Sequence, residues 1–166
     1  MNIEKINCLD TDQATHLFMQ CCTSTRWIEK MVDGRPYNNF STLRKSADQA
    51  WDQMTEQDYL QAFEGHPKIG NVSSLKAKYA NTKELASGEQ SGASQATEAL
   101  ILQLAESNQA YEDKYGFIFI VCATGKSAEE MLNLLHTRLK NDRHRELKIA
   151  SEEQRKIFHL RLEKLL

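Results

Sequence analysis

Gly116-Phe117-Ile118-Phe119-Ile120-Val121-Cys122-Ala123 is the stretch on which the fold turns. It is continuous, apolar and rich in aromatic and β-branched residues, so it reads either as a buried extended run or as the buried start of a helix. An extended run inside a sheet needs a partner for its amides and carbonyls. No second run of this character occurs in the chain, so a sheet has nothing to pair with. The fold class that follows is all-α, with a short extended apolar segment near 116–123.

Moving outward from that segment, helical periodicity dominates. Ala14, Leu17, Phe18, Cys21 and Cys22 make one stripe, and Leu43, Ala47, Ala50, Trp51 and Met54 another. Ile101, Leu104, Asn108, Tyr111 and Tyr115 step by three and four along a single face. Thr55-Glu56-Gln57-Asp58 fits a capping box opening a helix through Phe63, and Ser127-Ala128-Glu129-Glu130 opens one through Leu139. A last helix is expected from about Glu146 to the end. Two prolines, Pro36 and Pro67, and seven glycines are too few for a sandwich of tight turns. The Gly- and Ser-rich stretch 87–94 reads as a loop or helix entry. With no repeat and no long linker, residues 1–166 are expected to form a single-domain helical bundle.

Composition narrows the function classes. A chain of 166 residues fits one domain and can bury roughly 68–70% of the surface it exposes unfolded. Apolar residues at 40% and charged residues at 27% exclude wholesale disorder. The 21 basic and 23 acidic residues leave no basic excess to displace counterions, so no nucleic-acid partner is expected. The run 116–123 is far short of the roughly 20 apolar residues that span a bilayer, so no membrane association is expected. Met1 to Asp10 carries Glu4, Lys5 and Asp10 and lacks an apolar signal core, and Glu163 to Leu166 gives no clear peroxisomal address. A cytoplasmic protein is the expectation. Cys8, Cys21, Cys22 and Cys122 contain no Cys-x-x-Cys pair; neither a metal site nor a disulfide framework is expected, and buried apolar thiols are.

Few residues break these patterns. His16, His136, His144 and His159 lie in helical contexts beside charges and read as surface histidines. His66 stands in Gly65-His66-Pro67-Lys68-Ile69-Gly70, where the proline drives its backbone off any helix and the glycines permit close approach. A titratable imidazole on a stiff loop suits acid or base work, and equally a structural turn. Glu89 sits among small residues, which suits a pocket or an ordinary helix-start acid. Steps of four, three and four from Ala150 through Gln154 and Ile157 reach Arg161, which puts a guanidinium on an apolar face. It must find an anion there or snorkel to water. Asn108, in its apolar stripe, reads as a satisfied core amide or a loop brace. Gly125-Lys126-Ser127 mimics the end of a phosphate-binding loop, but Ile120 stands where that motif needs glycine, so ATP binding is unsupported.

In order, Arg35-Pro36-Tyr37, Gly65-His66-Pro67, Glu89-Gln90-Ser91-Gly92-Ala93, Asn108-x-x-Tyr111-x-x-Lys114-Tyr115-Gly116-Phe117-x-Phe119 and Lys156-Ile157-x-x-Leu160-Arg161-Leu162 run through nearly the whole chain. This set resembles the OHCU decarboxylase family (2-oxo-4-hydroxy-4-carboxy-5-ureidoimidazoline decarboxylases), enzymes of urate breakdown that yield (S)-allantoin. The resemblance implies an all-helical, cofactor-free carboxy-lyase working as a homodimer. Its catalytic histidine falls on His66, its glutamate on Glu89 and its arginine on Arg161. Substrate-binding positions fall on Pro67, on Ala86, Ser87, Gly88 and Gln90, and on Phe119, Ile120, Val121, Cys122 and Ala123. One departure stands out: the family often has serine three residues before the glutamate, and this chain has Ala86 there, with Ser87 beside it. A His–Glu–Arg set on a helical frame also suits a cofactor-free hydrolase or isomerase of a small ureide. A non-catalytic helical interaction module is the remaining alternative.

Overall fold

The computed structural model describes residues 1–67, 72–79 and 91–166, without the side chains of 78 and 91–97. In chain order its helices are α1 Ile3–Cys8, α2 Thr11–Met19, α3 Thr25–Asp33, α4 Phe40–Asp52, α5 Glu56–Glu64, α6 Val72–Lys78, α7 Ser91–Tyr115, α8 Ala128–Arg138 and α9 Arg143–Lys164. Among the described residues there is no strand, as the lone apolar run implied. No helix among them is long and apolar enough to cross a membrane.

Side-chain caps set the starts. Thr55 and Asp58 form the expected reciprocal box at α5, and Asp10 with Gln13 forms another at α2. Ser127 accepts the Glu130 amide at 3.2 Å. The last helix begins three residues earlier than its apolar pattern suggests, because Asp142 accepts the Arg145 amide at 2.8 Å and nucleates the first turn. Helix α2 stops at Met19, so Cys21 and Cys22 lie beyond its end, yet both remain buried. Helix α7 ends where Gly116 takes φ +81° and donates its amide to the Glu112 carbonyl at 2.8 Å. The run 117–123 then proceeds outside any helix.

The chain divides into two compact units. The first comprises Met1–His66, Ile120–Cys122 and Ile149–Leu166. Its core is built on Trp27, Trp51 and Phe158, with Phe158 ring centroids 5.0 and 5.7 Å from the two indoles. Each buried indole N–H finds a backbone acceptor, Ala47 O at 3.1 Å and Ser151 O at 3.0 Å. The Arg35 guanidinium gathers the carbonyls of Val32, Ile6 and Leu9 at 2.6–3.1 Å, closing the ends of α1 and α3.

The second unit comprises Pro67–Phe119 and Ala123–Lys148. At its centre Arg138 pairs with Glu146, both buried, in a short contact. Tyr111 donates to the same carboxylate at 2.6 Å and Asn141 at 3.1 Å, so the buried charges are hydrogen-bonded as well as paired. Burial, with Glu146 beside it, pushes the Tyr111 phenol far above its ordinary range. Asn108 donates to Leu104 O of its own helix at 2.9 Å, the satisfied amide among the two readings above.

Two expectations are corrected. Cys8 is exposed, since α1 buries only Ile6, whereas Cys21 and Cys22 are buried and burial pushes their thiols up to about 11 and about 12. His159 is not a surface histidine: its side chain is only 13% exposed, because Asp48 from α4 takes its Nε2 at 2.7 Å. His16, His136 and His144 are exposed as expected.

Removing one member of the Arg138–Glu146 pair strands the other in a dry site. Arg138→Leu is expected to lower the unfolding free energy by about 3–5 kcal/mol in urea melts, with part of that loss recovered in Arg138→Leu/Glu146→Leu. A single variant as stable as the parent would show that the pair carries no such constraint.

Candidate functional site

The site begins at the end of α5. Gly65 closes the helix, and the His66 amide donates back to Phe63 O at 3.1 Å, leaving His66 on the turn that follows. Glycine is required there by space. A Cβ on residue 65 would lie 2.1 Å from Thr23 Oγ1 and 2.5 Å from Thr23 Cγ2. The Thr23 hydroxyl lies 3.1 and 3.3 Å from the carbonyls of Gln61 and Ala62, so it occupies that space as a cap on the end of α5.

His66 is half-buried, and its Nε2 lies 2.5 Å from Oε1 of Gln154 on α9. An amide oxygen only accepts, so this contact is a hydrogen bond when the ring carries its proton on Nε2. Burial pulls the imidazole below its ordinary 6.5, the Gln154 bond opposes that, and the Arg161 charge reinforces it. The unfolded chain therefore takes up this proton first, and the folded state loses stability as pH falls below 6.5.

Arg161 lies seven residues beyond Gln154 on α9, about two turns along the same face. It is half-buried, and Nη1 donates to Cys21 O at 3.3 Å, its one hydrogen bond among the described residues. Glu153, beside Gln154, accepts the Cys122 amide at 3.4 Å and pairs with Lys156 at 2.5 Å. Within the first unit, then, α9 is the element to which His66, Arg161 and Cys122 are all tied.

The other expected positions fall out as follows. Ile120 is buried and Val121 half-buried in the first unit. Phe119 and Ala123, both half-buried, belong to the second unit, where the Arg138 guanidinium sits 4.4 Å from the Phe119 ring. Pro67 is exposed. Ala86, Ser87, Gly88, Glu89 and Gln90 lie outside the described residues. Gln154 was missed as a site residue, although its signal was present: an amide inside the apolar stripe that leads to Arg161.

Comparison with known proteins points one way. The profile of the OHCU decarboxylase family matches residues 7–163. The chain is 40% identical over 146 residues, 87% of its length, to the uric acid degradation bifunctional protein TTL of Arabidopsis thaliana, and spans 45% of that protein. It is 25% identical to the 2-oxo-4-hydroxy-4-carboxy-5-ureidoimidazoline decarboxylase of Amia calva, covering all of this chain and 95% of that one. It also matches the crystal structure of an OHCU decarboxylase in the presence of (S)-allantoin, with TM-score 0.70 and 33% identity over 95% of this chain and 98% of the other.

The electrostatics of His66 can be read by histidine NMR, with its signal assigned by loss in His66→Asn. The imidazole is expected to titrate below 6.5, and Arg161→Gln to move that titration upward by removing a nearby cation. No upward movement would mean that Arg161 does not act on the ring.

Proposed function

The chain belongs to the OHCU decarboxylase family, and on that premise we propose that it decarboxylates 2-oxo-4-hydroxy-4-carboxy-5-ureidoimidazoline to (S)-allantoin in urate breakdown. The observation that carries this reading is the histidine of the Gly65-His66-Pro67 motif, half-buried, held by an amide and lying in the field of Arg161. The likeness to a decarboxylase structure determined with (S)-allantoin supports the same product. The chain spans under half of its bifunctional Arabidopsis relative, and the reading concerns the decarboxylation step.

The chemistry asks for placement more than for reagents. The departing carboxylate sits on a ring carbon next to a C=N bond. When the carbon–carboxylate bond breaks, its electron pair moves into that bond and the nitrogen takes a proton, so the ring itself supplies the electron sink and no cofactor is required. The resulting enol gives up its hydroxyl proton and receives one at the neighbouring carbon. In sum, carbon dioxide leaves and one proton takes its place, on one face.

His66, neutral near pH 7, is suited to take the hydroxyl proton or to direct protonation as that hydroxyl becomes a carbonyl. Arg161 is suited to a steering contact or to an oxygen that survives in the product. A tight grip on the departing carboxylate would stabilise the ground state and slow the reaction. Glu89 and Gln90 would hold the ureido and ring polar atoms, with Pro67, Ala86, Ser87 and Gly88 around them. Phe119, Ile120, Val121, Cys122 and Ala123 would supply backbone groups and an apolar wall. We read 1–166 as one decarboxylase domain of a cytoplasmic homodimer. The family profile running through both compact units supports the single domain.

Freshly generated substrate followed by circular dichroism tests the reading, since spontaneous decay gives racemic allantoin without net signal. A fast rise of one enantiomer's signal is expected with the protein. His66→Asn should lose about 10²–10⁴-fold of the rate with helical content intact. A folded protein that leaves the decay racemic would overturn the assignment in favour of another ureide reaction.

A further inference from the structure

We propose that Gln154 is the positioning residue of His66: its amide oxygen fixes the proton on the ring Nε2, leaving Nδ1 as the nitrogen that exchanges a proton with the substrate. This rests on the acid–base reading of His66 and adds to it the nitrogen that acts and the group that selects it.

The geometry is direct. Gln154 is fully buried, at 0% exposure, in the middle of α9, with Oε1 2.5 Å from His66 Nε2. The other end of the amide, Nε2, is buried without a hydrogen-bond partner among the described residues. An orphaned buried N–H₂ is unfavourable, and an apolar side chain of similar size would avoid it. Among the described residues, then, the contribution of this amide is its bond to the ring. The two members also differ in stiffness. His66 sits on a turn, whereas Gln154 is carried by a helix whose neighbouring positions anchor Trp51 through Ser151 O and bury Phe158. The helix thus sets the rotation of the ring.

The choice of partner also sets which charge states the ring can hold. A ring that donates from Nε2 keeps that bond both when neutral and when protonated at Nδ1, so proton uptake at Nδ1 disturbs nothing on the α9 side. An amide carries no charge, so it stabilises the protonated ring less than a carboxylate would. Among the described residues, the charged group that acts on the ring is Arg161 of α9. The Cys21 and Cys22 thiols, on the stretch after α2 and close to that arginine, are kept protonated and neutral by burial.

The test uses the intact protein. In ¹⁵N-histidine spectra above its titration, wild-type His66 should be the Nε2–H tautomer, assigned by its disappearance in His66→Asn. Gln154→Leu should lower the titration of His66 and Gln154→Glu raise it, and the acid limb of kcat/KM should move the same way in each. Gln154→Leu should also lose about 10- to 100-fold in kcat with KM little changed, the signature of a misaligned ring and not of lost substrate contact. An Nδ1–H tautomer in the wild type overturns the inference without any variant, as do Leu and Glu profiles that overlie the wild type in folded proteins. If His66→Asn keeps its activity, the acid–base reading falls. If it is inactive while the tautomer is Nδ1–H, only the role of Gln154 falls.

Discussion

Gln154 and Arg161 stand seven positions apart on unbroken helix, about 10 Å of rise along one face of α9. That interval is set by backbone hydrogen bonds and does not depend on the flexibility of either side chain. Everything described for the site in the first unit is measured from it. The ring of His66 meets the helix at its nearer mark, and the guanidinium, returning to Cys21 O, stands at the farther one. The helix is itself fixed by Trp51 bonding to Ser151 O and by Phe158 lying between two indoles. Core packing and site geometry are thus properties of the same element.

The second unit solves a different problem. Its apolar residues surround an ion pair, and Tyr111, Asn141 and the Phe119 ring are arranged around Arg138 and Glu146. Such a cluster is expensive to desolvate and tolerates little rearrangement once formed, because each donor or acceptor left over has no water to turn to. It fixes the ring of Phe119 through a cation held by a carboxylate, a chain of contacts with little freedom in it.

Much of this was legible in the residues because local rules and tertiary structure agree. Thr55 with Asp58 and Ser127 mark helix starts, the lone run at 117–123 lacks a pairing partner, and Gly116 ends α7 in a conformation that suits glycine. What escaped reading depended on groups brought in from elsewhere in the chain. His159 looked like a surface residue until Asp48 of another helix took its nitrogen, and Cys8 looked like its buried counterparts although its short helix turns it outward. Gln154 belonged visibly to an apolar stripe, but only the turn after α5 shows what its amide is for. Arg161 was suspect from its position alone, because a cation on an apolar face demands an explanation in a way that an amide does not.

The close passage of Gly65 beside Thr23 has a consequence for how the histidine is placed. The path of the turn is defined there by excluded volume, since the hydroxyl and methyl of one side chain fill the space that a Cβ would need. A single methyl group at 65 would have to push against the residue that caps α5, and the ring one position later would be carried with it. The orientation of His66 is therefore specified from two sides by opposite means: an attraction from the helix that bonds it, and a vacancy of atoms immediately before it in the chain.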